Sequence, residues 1–510
     1  MKVPAALLAV AFALVACERA PTAPPAPTWR SECRAVVRPA PLSLEAAREA
    51  HRVEERRHEI RLREAAAPGS FRRDMQAALN AERLAAGEVC ASDLDDLGQM
   101  LFEHEYGFDD GLGGGAAKTA PQGPFRRVHA GEFGGPETVG CPSCHWLGGP
   151  NGAGAETDNT FLTGDGEEPA SGDTRNPPAL VGLGVVQALA AEMSGELLRQ
   201  RADAVRDATR AGADREVSLR AKGVDFGVMR IDAKGAIDTT GLRGVDADLV
   251  VKPFGWKGTL PTFAAFADEA LQIHMGVQSE GLVASSARAI LGDGDVDDPD
   301  GDGMRSELGR GPFAAMSLHL ALLELPIVEP LILNRQLPPP AEGRGAPTNT
   351  SFAADFQRGR QQFHELGCAG CHVPMMVLES PVVTIDGLPP IDLSEQMRQP
   401  GLRYDAGLAG YPVWLFSDLK RHDMGQASAA RHVQRGVAVE QYLTPRLWGM
   451  ADSAPYLHDG RAPTVDYAIA GHDGEGAAAR AAFEAVPWEE RGPLRVYLMA
   501  LRRAPRVFIP

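Results

Sequence analysis

Three features are scarce in this sequence, and each scarcity excludes a class of protein. Beyond the N-terminal segment there is no run of about 18 apolar residues, so no later bilayer-spanning helix is expected. Basic residues are outnumbered, with 51 Lys and Arg against 68 Asp and Glu, and this excludes a nucleic-acid partner. No alternation of apolar and polar residues is strong enough to predict a sheet. The 510 residues therefore predict two or three helical domains.

The N-terminus has the pattern of an export signal. Lys2 precedes an apolar run from Ala5 to Ala16 that is too short for a permanent membrane anchor. The run ends in Leu14-Val15-Ala16-Cys17, which resembles a bacterial lipobox, and a Pro-rich tether follows. We expect residues 1–17 to form a lipoprotein-type signal peptide, with Cys17 as the lipidated first mature residue. This predicts a periplasmic protein anchored by lipid to a bacterial membrane, with the outer membrane preferred; simple secretion is the alternative.

Cysteine is rare, and four of the seven cysteines fall in two C-x-x-C-H motifs, at Cys141–His145 and Cys368–His372. In such a motif the two thiols, here Cys141 with Cys144 and Cys368 with Cys371, bond to the vinyl groups of haem. The following histidine, His145 or His372, binds the iron as proximal ligand. A thioredoxin-like or zinc site needs no histidine at that place. The motifs predict two covalently bound haem c groups.

Two further cysteines, Cys33 and Cys90, lie outside these motifs. They are able to pair in an oxidising compartment, although two buried thiols are the alternative.

The chain divides into regions of different composition. We predict a tether and helical extension over 18–95, an N-terminal haem domain over 96–335, a Pro-rich linker over 336–350 and a C-terminal haem domain over 351–510. Helical patterns are predicted within these regions at 185–211, 263–275, 313–325 and 352–366.

Several motifs resemble known families. Leu443–Met450 and Ala454–Arg461 resemble the C-terminal haem domain of bacterial di-haem cytochrome c peroxidases. The di-haem oxidoreductase family sometimes labelled thiol oxidoreductase is similar at four further places: Gly182–Gly184, Phe254–Lys257, Phe416–Leu419 and His422–Gly425. The resemblance covers about 97–501. It implies a mainly α fold of two cytochrome c-like haem domains with long loops, preceded by a helical extension.

The same resemblance assigns the second axial ligands. For the C-terminal haem it points to His472, with Met424 and Met450 as alternatives. For the N-terminal haem, relatives use a loop histidine soon after the motif, but this chain has none between His145 and His274. An open first iron is therefore expected, with Met193 or His274 as alternative ligands.

Two catalytic roles follow from the resemblance. Glu192 stands where relatives have a distal glutamate that moves a proton between peroxide oxygens, although a solvated helix glutamate is the alternative. Trp256 stands where relatives have a tryptophan between the haems, and a core tryptophan is the alternative.

An acidic segment resembles the first half of a calcium loop. Asp298, Asp300 and Asp302 alternate before Gly303, but the twelfth position is Gly309, not a carboxylate. Glu307 is able to substitute in a shorter loop, and a solvated acidic turn is the alternative.

Together these patterns predict a periplasmic di-haem c-type oxidoreductase. Electrons from a small c-type cytochrome or cupredoxin would enter at the C-terminal haem, and the N-terminal haem would reduce hydrogen peroxide or a related oxidant. The alternatives are an electron-transfer cytochrome with both haems six-coordinate, and a di-haem oxidase acting on a thiol or a protein.

Overall fold

The computed structural model describes residues 44–113, 127–129, 136–286, 304, 306–326, 349–398 and 400–503. The predicted signal peptide with Cys17, the tether, Cys33, most of the linker and the calcium candidates Asp298, Asp300 and Asp302 lie outside these residues. In the described part the predicted mainly α class is confirmed, with small sheets added. No helix in these ranges is long and apolar enough to cross a membrane.

The helices, in chain order, are α1 Leu44–Ala66, α2 Ser70–Ala78, α3 Ala81–Ala85, α4 Ala91–Glu103, α5 Leu183–Ala211, α6 Phe263–Met275, α7 Glu280–Ser286, α8 Arg310–Ala321, α9 Asn349–Glu365, α10 Leu393–Gln396, α11 Val465–Ala470, α12 Ala477–Ala485 and α13 Gly492–Met499. The strands are β1 Thr160–Leu162, β2 Asp173–Arg175, β3 Arg215–Ala221, β4 Val224–Ile231, β5 Ile237–Asp238, β6 Met376–Leu378, β7 Val382–Val383, β8 Ile391–Asp392, β9 Tyr411–Val413, β10 Arg421–Asp423 and β11 Gln441–Leu443.

Local capping explains why some helices have the predicted bounds. The Thr262 side chain accepts a hydrogen bond from the Ala265 N–H at 3.1 Å, and Gly276 follows α6 in the left-handed conformation. A Thr N-cap and a Gly after the last turn each satisfy backbone groups that the helix leaves open. Thr464 caps α11 in the same way, through the Tyr467 N–H.

Two helix pairs cross on glycines. Gly98 of α4 packs against the backbone of Ala315 in α8, and Gly359 of α9 packs against the backbone of Pro493 in α13. A Cβ at either glycine would collide with the carbonyl oxygen of the facing helix. Each pair adjoins one haem motif, because α9 leads directly into Cys368 and α4 contacts the turn at Cys141–Ser143.

The buried residues form one large and one small cluster. The small cluster surrounds the second haem motif and joins α9 and α13 through Phe356, Phe363 and Tyr497. The large cluster contains α4, α5, α6 and α8, and also residues of the C-terminal region such as Met376 and Leu415. The segment with β6 to β9 therefore packs on the N-terminal half. The predicted linker at 336–350 does not separate two independent hydrophobic cores.

The predicted helical extension is not a separate unit. Phe71, Met75, Leu79 and Leu84 of its helices are buried in the large cluster. Moreover, α4 runs across the predicted boundary between 95 and 96. The apolar faces of α2 and α3 explain this, because short helices gain their stability from packing such faces against a core.

The expectation of no sheet was wrong. β3 and β4 form an antiparallel hairpin that β5 extends to three strands, and it packs on α5. Its two-residue loop, Lys222-Gly223, has positive φ at both positions, as tight hairpins require.

Cys90 is disulfide-bonded, whereas the four cysteines of the haem motifs take part in no disulfide. The partner of Cys90 lies outside the described residues, so the pairing of Cys33 with Cys90 stays a prediction.

We predict that Gly98→Ala destabilises the protein by about 1–3 kcal/mol, because a methyl group at this crossing overpacks α4 against α8. The matched control is Gly195→Ala in α5, where the added Cβ meets only the flexible end of Arg199 at 3.4 Å. Relief of the glycine penalty should there raise stability by about 1 kcal/mol. Thermal unfolding of both haem-loaded variants measures the two effects, and a stabilised Gly98→Ala protein would contradict the crossing.

Candidate active site

The first C-x-x-C-H motif begins with a 3₁₀ turn at Cys141–Ser143. The His145 N–H then donates a hydrogen bond to the Cys141 carbonyl at 3.1 Å. The His145 Nδ1 lies 3.1 Å from the Gly152 carbonyl oxygen. A carbonyl can only accept, so Nδ1 carries the proton and Nε2 is left as a metal-binding lone pair. Burial lowers the pKa of His145 to about 4, which keeps the ring neutral.

The second motif repeats this arrangement. Its 3₁₀ turn, Cys368–Gly370, follows Gly367 in the left-handed conformation, and the His372 N–H donates to the Cys368 carbonyl at 3.0 Å. The His372 Nδ1 donates to the Phe416 carbonyl at 3.0 Å, which again leaves Nε2 to bind a metal. Burial lowers the pKa of His372 to about 4.

His472 faces His372 at the distance that a shared metal requires. The two ring centroids are 6.3 Å apart, and the His472 Nδ1 donates to the Ala468 carbonyl at 2.8 Å. Imidazole nitrogens bind a metal at about 2 Å, so two rings on opposite sides of one iron have centroids about 6 Å apart. The pair therefore fits a six-coordinate haem, as the sequence predicts for His472.

A cavity of about 480 Å³ connects the two motifs. Its walls include all the predicted haem-attachment and axial residues, namely Cys141, Cys144, His145, Cys368, Cys371, His372 and His472. Apolar side chains supply most of the remaining surface, as a porphyrin requires, and Leu183, Phe263, Phe266 and Leu320 are among them. The residues present fit two haem groups attached at the predicted positions.

Trp256 lies on the wall of this shared cavity. Its indole N–H donates to the Asn176 carbonyl at 2.9 Å, and its own carbonyl accepts from the Leu443 N–H. These bonds connect Trp256 to the N-terminal region through Asn176 and to the C-terminal region through Leu443, and its predicted position between the haems stays a prediction. Trp448 lines the same cavity, although no sequence motif predicts a role for it.

An aromatic group continues from Trp256. The His458 ring lies 6.5 Å from Trp256 and stacks on Tyr442 at 4.3 Å, while the Lys257 ammonium sits 3.7 Å from the Tyr442 ring centroid. The Lys257 ammonium also donates to three backbone carbonyls, those of Ala438 and Val439 before β11 and that of Gln441, the first residue of β11. Burial, together with the nearby Arg175, lowers the pKa of His458 to about 2, so this histidine is neutral.

The catalytic role predicted for Glu192 does not fit the structure. Its carboxylate pairs with the Lys222 ammonium at 2.8 Å and accepts backbone hydrogen bonds from Glu379 and Ser380. Glu192 is not among the described residues that line the cavity. The helix is predicted correctly, but Glu192 faces the β3–β4 hairpin and the C-terminal segment. It is a structural ion-pair partner.

The alternative axial ligands are placed differently from one another. Met424 and Met450 both line the cavity, as does His274. Met193 is fully buried in the large cluster and is not one of the described lining residues. His274 lies close enough to the first motif for its charge to help lower the pKa of His145.

A cluster of three side chains that the sequence does not predict lies beside the first motif. The His129 Nε2 is 3.2 Å from a Glu137 carboxylate oxygen, and the His274 Nδ1 contacts the other oxygen. Although burial acts to raise it, hydrogen bonds from His129 and His274 lower the pKa of Glu137 to about 2. We name this set the His129–Glu137–His274 cluster. In relatives the loop histidine follows the C-x-x-C-H motif, whereas His129 precedes it.

A second charged group adjoins the second motif. The His422 Nε2 lies 2.7 Å from Asp418 and its Nδ1 lies 2.8 Å from Glu475, while the Cys371 sulfur is 3.9 Å away. Although burial acts to lower it, the contacts with Asp418 and with the Cys371 sulfur raise the pKa of His422 to about 11. His422 is therefore a cation held between two carboxylates at the edge of the second haem site.

Comparison with known proteins bears on the C-terminal third of the chain, which contains the second C-x-x-C-H motif. Residues 345–501 match the family model described as "Di-haem oxidoreductase, putative peroxidase". Among solved structures, the chain is similar to a MauG-like protein associated with microbial copper homeostasis, at 17% identity and a TM-score of 0.27, covering 53% of this chain and 77% of that chain. That score is too low to establish a common fold. No curated protein matches the chain.

We predict that His472→Ala opens the second haem site. The haem-loaded variant should show a new high-spin ferric signal in electron paramagnetic resonance, because removal of a strong axial ligand weakens the ligand field. Met424→Leu and Met450→Leu are the matched controls and should keep the wild-type spectrum. A high-spin signal in either methionine variant, with none in His472→Ala, would assign the ligand to methionine.

Proposed function

We propose that this protein is a periplasmic di-haem c-type oxidoreductase that reduces hydrogen peroxide or a related small oxidant. A small c-type cytochrome or cupredoxin would donate electrons at the C-terminal haem site, and the oxidant would be reduced at the N-terminal site. The family match over 345–501 supports a di-haem redox role. The oxidant, the donor and the location come from the sequence and are part of the proposal.

The observation that carries the proposal is an asymmetry between two sites that open into one cavity. His372 faces His472 at 6.3 Å between ring centroids. Among the described residues no ring contact joins His145 to a second imidazole, although His274 shares its cavity wall. A haem iron transfers electrons when two protein ligands fill its axial positions, and it can bind peroxide when one position is open.

The chain's own residues orient and separate these two sites. The carbonyls of Gly152 and Phe416 fix the proximal rings, so that Nε2 of each ring faces its iron position. The bond from the Trp256 indole to Asn176 holds an aromatic ring on the wall that both sites share. In this proposal Trp256 carries electrons between them.

Arg446 supplies a positive charge to the cavity. Its guanidinium lines the wall 5.6 Å from the Trp448 ring and donates weakly to the Ala179 carbonyl at 3.4 Å. Burial lowers the pKa of Arg446 to about 10, so the group stays charged at neutral pH. Within the described residues no carboxylate offsets this effect of burial on Arg446. A haem carries two carboxylates, and we propose that Arg446 binds one of them.

An electron-transfer cytochrome is the second candidate. The observation that favours it is His274, which lies on the same cavity wall as His145 and has Nδ1 fixed by Glu137. Ligation through its other ring nitrogen would close the first iron and remove the oxidant site.

We predict one high-spin and one low-spin ferric signal in the oxidised, haem-loaded protein, with the high-spin signal lost when hydrogen peroxide is added. Electron paramagnetic resonance with and without peroxide measures this directly. Glu192→Gln should behave as wild type, because Glu192 pairs with Lys222 away from the cavity. Two low-spin signals that do not change on adding peroxide, either before or after half-reduction of the protein, would contradict the peroxidase proposal and support the electron-transfer candidate.

We predict that Trp256→Phe slows electron transfer between the two sites by about tenfold, equivalent to about 1.4 kcal/mol in activation free energy. Stopped-flow absorbance after mixing the half-reduced protein with peroxide follows this step. Trp146→Phe is the matched control, because Trp146 follows the first motif directly but is half-exposed and bonded to Asp158 at 2.9 Å. Equal electron-transfer rates in the two variants would show that Trp256 does not carry electrons between the two sites.

A further inference from the structure

We propose that the His129–Glu137–His274 cluster is a binding site for a divalent transition-metal ion, separate from the haem irons. The ligands are two imidazole nitrogens and one carboxylate, a donor set that proteins use for zinc and for other first-row metals. The site does not depend on the redox activity proposed above.

Two distant parts of the chain converge here, one with His129 and Glu137 and the other with His274. His129 lies beside β1, where its N–H donates to the Phe161 carbonyl at 2.8 Å and its carbonyl accepts from the Gly164 N–H at 2.7 Å. Glu137 lies four residues before Cys141, and its N–H donates to the His274 carbonyl at 2.9 Å. Backbone bonds therefore hold all three residues in place without any help from their side chains. Such preorganisation is what a metal site requires.

The ligand atoms have the spacing of a metal site. One oxygen or nitrogen from each of the three residues lies within 4.8 Å of the others. The His129 Nε2 and the Glu137 Oε2 are 3.2 Å apart. Ligand atoms bound to one tetrahedral ion at 2.0–2.2 Å are about 3.3 Å from each other, so a small movement of His274 admits an ion.

Burial and access also agree with this assignment. The side chains of His129, Glu137 and His274 are 1%, 7% and 30% exposed. A buried carboxylate needs a positive partner, and a divalent ion supplies one while both imidazoles remain neutral. Glu137 and His274 also line the cavity, which gives an ion a path to the site. The competing arrangement is a hydrogen-bonded cluster with a protonated imidazole and no ion.

Zinc is the probe that separates these arrangements. The haem-loaded protein is stripped with a chelator, dialysed against Zn²⁺ and analysed for zinc and iron by mass spectrometry. We expect about one zinc for every two irons, because one site is proposed beside two haems. Absorption spectroscopy at the zinc K-edge should then show two imidazole ligands and one carboxylate. No bound zinc, or zinc without two imidazole ligands, would overturn the proposal.

Variants assign the site to these residues. Glu137→Gln keeps the size of the side chain but removes its charge, and it should weaken zinc binding by more than about 100-fold. Glu167→Gln is the matched control, since Glu167 is exposed in the same part of the chain. The Soret band and thermal unfolding check that each variant is folded. If Glu137→Gln fails to fold, His129→Asn serves in its place; a folded variant of either kind that binds zinc like wild type would contradict the assignment.

Discussion

The structure depends on a hydrogen bond that recurs at three histidines. His145, His372 and His472 each direct Nδ1 at a backbone carbonyl, from Gly152, Phe416 and Ala468 respectively. The carbonyl accepts, so the ring must carry its proton on Nδ1, and the opposite nitrogen is aimed at the cavity. Because burial lowers the pKa of all three rings, they stay neutral and available to a metal. The tautomer of each ring is thus set by the backbone that surrounds it.

Features that depend on a few neighbouring residues could be predicted from the sequence. Each C-x-x-C-H motif predicts haem attachment from five consecutive residues, and the bounds of α6 follow from Thr262 and Gly276. His472 also fits its predicted place, since it faces His372 at a metal-binding distance. In each case the deciding contacts lie within a few residues, so local reasoning is sufficient.

Features that depend on orientation or long-range contact could not be predicted. The first two turns of α5, Leu183–Ala190, are buried on every side, so no amphipathic face shows which way Glu192 points. The β3–β4 hairpin contains a register shift between Ser218 and Arg220, which breaks the alternation that would have revealed it. The His129–Glu137–His274 cluster joins segments up to 145 residues apart, and no pattern in the sequence marks their meeting.

The sharing of the large buried cluster has a consequence for how the chain is made. Met376, Leu393 and Leu415 complete a core whose other members begin near Ile60. The N-terminal half comes first along the chain, but it cannot complete its buried core until the segment with β6 to β9 is present in the same compartment. The buried core around the first C-x-x-C-H motif is therefore incomplete without residues that follow the second motif. A fragment ending in the linker would expose the surface that this segment covers, and it would be a poor stand-alone protein.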